Sequence, residues 1–183
     1  MNPTEAPAGT KTYTIDPAHT AVRFSVRHLM ISRVHGQFSG VSGTVDVPTG
    51  SNVPSAVNVA IEVASIDTRE PQRDGHLKSP DFFHAENFPQ ITFHSTRIEG
   101  SEEEFSVAGD LTIHGETKPV VLSATFDGAG PDPWGNQRLG YEAHAKIKRS
   151  DFGLTWNQAL EAGGFAIGDE IKIDLNLEVV APK

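Results

Sequence analysis

The sequence predicts an all-β domain of eight antiparallel amphipathic strands, interrupted by one short helical insertion around residues 69–88. Three observations carry this. Ile and Val together outnumber Leu by 26 to 9, and Thr adds 14; branching at Cβ favours extended backbone. Apolar residues alternate with polar ones over stretch after stretch, the period of a strand with one buried face. Short turn signals separate these stretches, so successive strands are joined locally, as in a meander.

The elements follow in order. Residues 1–11 are rich in Pro, Thr, Ala and Gly and read as a flexible tail before a single domain over 12–183. Tyr13–Ile15 is a short strand candidate. In Thr20–His28, Val22, Phe24, Val26 and His28 share one face, while Arg23 and Arg27 share the other. Val41 to Val47 and Val57 to Val63 repeat the alternation. Ile91 and Phe93 start a weaker strand, with Ile98 out of phase and Arg97 in phase with Phe93. Phe105 to Ile113, Val120 to Phe126, Leu139 to Ile147 and Ile171 to Val179 complete the set. Within residues 67–90, Gly75 limits any helix to a short one, and Ser79-Pro80-Asp81 reads as a second capped turn. Such a sheet closes into a barrel or folds into a sandwich.

Composition excludes several classes of function. The 15 Lys and Arg against 24 Asp and Glu leave a net charge of −9, which repels phosphate backbones and anionic surfaces and argues against nucleic-acid binding. No apolar run approaches the ~18 residues of a membrane span, so stable membrane insertion is not expected. Met1-Asn2-Pro3-Thr4-Glu5 has neither a basic nor an apolar leader region, which predicts a cytoplasmic protein. The chain has no Cys, which removes disulfides, thiolate metal sites and thiol nucleophiles together. Its eight His include no His-x-His, His-x3-His or Glu-x-x-His pair, so no metal and no other cofactor is expected. Asp16-Pro17 reads as a turn start through the carboxylate rather than as acid–base machinery.

The order of short motifs resembles one family. Tyr13-Thr-Ile-Asp16-Pro-Ala-His19 leading into Val22-Arg-Phe24-Ser-Val26-Arg-His28 resembles the opening of YceI-like proteins. Val34-His-Gly36-Gln-Phe38, Ser65-Ile-Asp-Thr68, Arg73-Asp-Gly-His76-Leu-Lys78 and Phe88-Pro89-Gln-Ile91-Thr-Phe93 are similar to its middle. Gly109-Asp-Leu111-Thr-Ile113-His-Gly115, Lys148-Arg149-Ser-Asp151-Phe152-Gly153 and Gly168-Asp-Glu170-Ile171 are similar to its later signatures. The resemblance spans about residues 12–180. It implies a lipocalin-like antiparallel eight-stranded barrel and an elongated apolar cavity for a polyisoprenoid or similar long-chain amphiphile, such as an isoprenoid quinone or a fatty acid or amide. It also makes a homodimer plausible. Some family members are secreted to the periplasm, and this chain departs from them in its opening residues.

Periodicity alone leaves two interiors open, a packed core and a lined cavity. For a cavity, the inward residues Val22, Phe24, Val26, Phe93, Phe126 and Tyr141 would form the tube. Phe82, Phe83 and Phe88 would cover one end from the insertion, and Phe152, Leu154 and Trp156 would line the other. For a polar head group the candidates are Arg149, in phase with Ala143, Ala145 and Ile147, and His28 at its strand end. Arg binds phosphate with paired donors. The competing role for Arg149 is to pin its turn through Asp151 or Glu170. The competing function is an enzyme acting on a prenylated or lipid-like substrate inside the barrel. A third reading, an interaction protein with an incidental cavity, gains nothing from the charged outer faces.

Overall fold

The computed structural model describes residues 9–183. Its strands form eight staves of one closed antiparallel barrel, and three of the staves are bent. β1 (Thr10–Ile15) and β2 (Ala21–His28) make the first. A 3-10 turn at Pro17–His19 bends it, and the Asp16 carboxylate starts that turn by accepting from the Ala18 N–H at 3.0 Å. β3 (Ser32–Phe38) and β4 (Val41–Pro48) make the second, bent at Ser39-Gly40. β5 (Ala56–Glu62) and β6 (Ile66–Asp67) make the third, bent at the 3-10 turn Val63–Ser65. β7 (Gln90–Gly100), β8 (Phe105–Ile113), β9 (Glu116–Pro131), β10 (Gln137–Lys148) and β11 (Ile167–Val180) are single staves. β11 closes the ring: Ile167 to Asn176 pair with β2, and Val179 and Val180 pair with β1. Closure leaves little open sheet edge to template aggregation; near the mouth β3 pairs with β6 only at Gln37 and Phe38, and β10 pairs with β9 only as far as His144.

Alternation located most of this wall. It missed β3, where Val34, Gly36 and Phe38 do alternate; glycine hides the pattern because it carries no apolar side chain. β1 starts at Thr10, which pairs with Pro48, so Thr10 and Lys11 stand in the wall. The remainder of the expected tail, apart from Gly9, lies outside the described residues. In β7 the register shifts between Ser95 and Arg97. The extra residue reverses the phase, so Ile98 packs on the core and Arg97 turns out to pair with Glu99. Arg97 is therefore not an inward residue.

The helical insertion is real and short. α1 spans Pro71–Lys78, and the Glu70 carboxylate caps it by accepting from the Gln72 and Arg73 N–H groups. Gly75 sits inside it. Pro80 starts no second helix; residues 79–89 run as consecutive turns. The β4–β5, β7–β8 and β9–β10 hairpins gather at one end of the barrel. The insertion, the β2–β3 hairpin and the long β10–β11 connection gather at the other.

A single arginine stitches the first end. Arg138 on β10 donates from Nη1 to Asp16 (2.6 Å) and Glu178 (3.0 Å), and from Nε to Asp132 (2.9 Å). It thereby ties the β1–β2 bend to the β9–β10 hairpin and to β11. Asp16, His19 and Glu178 bring ligand-type atoms within 4.8 Å of one another, and the guanidinium is the cation among them. This bonding holds the Asp16 carboxyl down at about 2, Arg138 being the largest cause and His19 the next. Burial alone would raise Asp132, but donors from Asn136, Arg138 and Trp134 outweigh it and hold it well below the usual carboxylate range.

Two outcomes follow from the wall. Phe24 faces Gly36 across the β2–β3 ladder, and a Cβ on Gly36 would meet the Phe24 ring at 2.3 Å. Gly36→Val should therefore lower stability by about 1–3 kcal/mol, read by urea unfolding; an unchanged midpoint would show that the ring moves freely. The Asp16 carboxyl is lower folded than unfolded, so its contribution is whole above the ordinary value of 3.8 and is lost as pH falls through about 2. Arg138→Met should flatten the acid limb of the stability–pH curve in that window. An acid limb identical to that of the parent protein would refute the stitch.

Candidate functional site

Inside the ring lies an elongated cavity of about 420 Å3, lined almost wholly by apolar side chains. That volume falls in the range of ~300–1,000 Å3 typical of small-ligand sites. The lumen stays open because the large rings lie against the wall. Phe24 folds over Gly36, and Phe93 folds over Gly109, where a Cβ would meet its Cζ at 2.4 Å. Val120, Leu122, Ala143, Ile173 and Leu175 line the remainder with smaller groups.

One end is closed. Tyr141 is buried there, and its hydroxyl donates to the Asn52 carbonyl at 2.7 Å. Phe105 packs edge-on against it at 6.1 Å. Burial, together with the nearby Tyr13 and Glu102, raises the Tyr141 hydroxyl above the usual tyrosine range, so it stays a neutral donor. Phe126 does not reach the lumen. The β9–β10 register shifts beside it, between Gly140 and Tyr141, and its ring packs on Tyr141 at 5.6 Å. Phe126 stands opposite Tyr141 in the β9–β10 ladder, on the same face, and packs against the core without lining the cavity.

The other end is the mouth. Val22, Phe24 and Val26 line the wall below it, and His28 reaches its rim. The insertion contributes Leu77, Phe82 and Phe83, and the β10–β11 connection contributes Phe152, Leu154 and Trp156. An aromatic cluster joins these two segments. The His76 ring meets Trp156 at 4.8 Å and Phe82 at 5.0 Å, while Phe82 meets Trp156 at 5.3 Å. Both expected covers therefore sit at the same end, because β6 and β10 finish on that side. Phe88 is not part of them. It packs outside the lumen against His114 at 4.7 Å and His84 at 6.0 Å, over Gly115.

Arg149 borders the cavity and is buried, and four of its five N–H donors are spent on the chain itself. Nε donates to the Gly168 carbonyl (2.8 Å), Nη1 to Leu154 (2.7 Å) and Trp156 (2.9 Å), and Nη2 to Ile167 (3.3 Å). The pinning role thus runs through four carbonyls, not through Asp151 or Glu170. Burial pushes its pKa below the ordinary arginine value, opposed by the charge of Asp169. Asn157 makes a second clamp: its side chain donates to the Ile167 carbonyl and accepts from the Ile167 N–H. Together they hold the loop that carries Trp156.

Several lining residues lay outside the sequence-based set. Phe38 packs between Phe24 (5.5 Å) and Phe83 (6.0 Å). Phe105, Ile173 and Leu175 were legible by the same phase test. Leu77 was not, because α1 has no apolar stripe. Arg73 donates to the Thr68 hydroxyl (2.8 Å) and carbonyl (2.7 Å) beside the mouth, a contact that no strand pattern signals.

The geometry has relatives. A YceI-like domain model matches residues 13–179. Protein YceI of Escherichia coli is 42% identical over 136 residues, covering 74% of this chain and 71% of that one. Among solved structures, a Campylobacter jejuni YceI protein superposes with a TM-score of 0.73 at 32% identity, over 86% of this chain and 90% of that one. A polyisoprenoid binding domain from Saccharophagus degradans shares the fold with a TM-score of 0.67 at 17% identity, over 93% and 98% of the two chains. A bent-stave barrel, a helical insertion over its mouth and a matching sequence along nearly its whole length make this chain a member of the YceI-like family.

Proposed function

We propose that the barrel binds one long-chain apolar ligand, of the polyisoprenoid, isoprenoid quinone or fatty class, and carries or sequesters it. The observation that carries this reading is a one-ended apolar tube with its polar groups collected at the mouth. A chain without hydrogen-bonding groups suits such a lining, and burial of its surface supplies ~25 cal/mol per Å2. The polyisoprenoid binding named for the Saccharophagus domain supports the same class.

The tube is Val22, Phe24, Val26, Phe93 and Tyr141, with Phe82, Phe83, Phe152, Leu154 and Trp156 around its entrance. The head group rests at the rim beside His28, Arg73 and His76. Arg149 acts behind them as a positioning residue, since four carbonyls already occupy four of its five donors. Binding is the reading that a predominantly hydrocarbon wall supports, since a long apolar chain matches it.

Native mass spectrometry of freshly purified protein should reveal a lipid-mass adduct that solvent extraction removes, or stoichiometric uptake of an added prenyl alcohol. Ala143→Phe, which adds a ring to the lumen, should lower uptake at least ~tenfold while the fold persists, since overpacking costs only about 1–3 kcal/mol. A protein that takes up nothing, or a filled variant that binds as well as its parent, would overturn the reading. Ligand recovered chemically altered after incubation would favour an enzyme.

Arg149→Met should lower stability by about 2–4 kcal/mol, because buried carbonyls lose their donors, with a fall in melting temperature. Prenyl alcohol and prenyl phosphate should then weaken alike. A loss confined to the phosphate would restore Arg149 as the head-group contact.

A further inference from the structure

The tip of the β2–β3 hairpin is built against its own chemistry. Leu29, Met30 and Ile31 stand 39%, 60% and 83% exposed. Leu29 (φ 52°) and Met30 (φ 60°) both lie in the left-handed region. Hairpin turns with two such residues favour Asn and Gly, because Cβ crowds the backbone there. Leucine and methionine at these positions strain the turn and present hydrocarbon to water. Neither cost is offset by burial within the chain.

The neighbouring loop adds to this edge. Phe165, 60% exposed, sits in the Gln158–Ala166 loop. The Leu29 N–H donates to the Ala166 carbonyl at 2.8 Å, and Met30 Sδ lies so close to Gly164 that a Cβ there would stand 2.5 Å away. His28, Ala166 and Trp156 line the cavity mouth directly behind. The exposed apolar edge and the entrance are one structure.

Charge selects its partner. Arg27 stands opposite Arg33 in the β2–β3 ladder, and like charges placed so repel. Among the described residues the ion pairs use Arg97, Arg138 and three histidines, and neither Arg27 nor Arg33 takes part. From Pro17 to Val45 the chain has no acidic residue, although its net charge is −9. Asp151 and Glu161 lie on the neighbouring connection and Asp169 and Glu170 stand at the start of β11, where Asp169 is engaged by the Ser150 N–H and hydroxyl. At physiological salt, repulsion from distant charges is screened beyond ~8 Å, so this local basic pair dominates at contact.

We propose that this edge docks on an anionic phospholipid bilayer. Leu29, Met30, Ile31 and Phe165 enter the headgroup layer, and Arg27 and Arg33 bind lipid phosphates. The mouth then faces hydrocarbon, and a long apolar ligand passes between bilayer and barrel without crossing water. The docking stands on the hairpin itself; its purpose rests on the ligand-binding reading above.

The test is sedimentation of the full chain with vesicles of phosphatidylcholine alone and of phosphatidylcholine containing roughly one third phosphatidylglycerol. Binding should be at least ~tenfold stronger to the anionic vesicles and should weaken with salt. Met30→Ser with Ile31→Asp should abolish it. Arg33→Glu should weaken it about thirtyfold, as expected for reversing one charge at the surface. Both variants should melt close to the parent protein, since Met30 and Ile31 are 60% and 83% exposed and Arg33 takes part in no ion pair among the described residues. Equal binding to neutral and anionic vesicles, or variants that bind as the parent does, would overturn the proposal. So would a dimer that Ile31→Asp dissociates without any vesicle binding, which would make the edge a self-association face. Uptake of a fluorescent prenyl alcohol from solution separates the two readings. Uptake without docking sinks this proposal alone, and docking without uptake sinks the ligand reading alone.

Discussion

Closure of the hydrogen-bonded ladder sets everything else. With eight staves joined through β11 to both β1 and β2, the circumference is fixed by backbone geometry and cannot shrink to suit its side chains. An eight-stranded ring is just wide enough to be filled by side chains or to hold one small ligand. Which of these happens depends on where the large rings go. Here Gly36 and Gly109 let Phe24 and Phe93 lie along the wall, while Tyr141 and Phe105 are spent on closing one end. The space between is left to residues the size of alanine, valine and leucine, and it stays open.

The mouth is made from what the ladder cannot supply. Three staves bend before they reach it, and the insertion and the β10–β11 connection lie over it. Irregular backbone near a buried surface must satisfy its carbonyls without a neighbouring strand. Arg149 and Asn157 meet that demand, and in doing so they fix Trp156 against His76 and Phe82. A rim held by side chains rather than by a ladder can open locally at lower cost than the barrel can. Ligand exchange therefore belongs at the mouth, where the exposed β2–β3 tip also stands.

Much of this was legible in one dimension. The face that Val22, Phe24 and Val26 share is a matter of period, and so is the burial of Phe105, Leu139 and Tyr141. The turn at Asp16-Pro17 was legible because a carboxylate before proline has one common use. The errors have physical causes as well. Arg97 turned outward because a bulge inserts one residue; the out-of-phase Ile98 is its trace, but alternation does not say on which side of Arg97 the extra residue stands. Phe126 keeps its inward phase opposite Tyr141 and packs on that ring, but the cavity stops short of it. Phe88 carries the same side chain as Phe82 and Phe83 but follows a chain reversal near His84, a non-glycine residue at φ 52°. Leu77 is the only aliphatic side chain of a polar helix and had no period to betray it.

The sequence by itself determined the strand content, the inward faces, the short insertion and, through the order of its motifs, the family. Each of these is local or periodic, so it survives reading in one dimension. Only the tertiary structure decided that the sheet closes, that the lumen is open rather than packed, and that both covering segments share one end. It alone turned Arg149 from a candidate ligand contact into a clamp on four carbonyls, and set Arg27 against Arg33 beside an apolar tip. Those outcomes depend on distances between residues far apart in the chain, and the hydrogen-bonded ladder, not the local sequence, sets those distances.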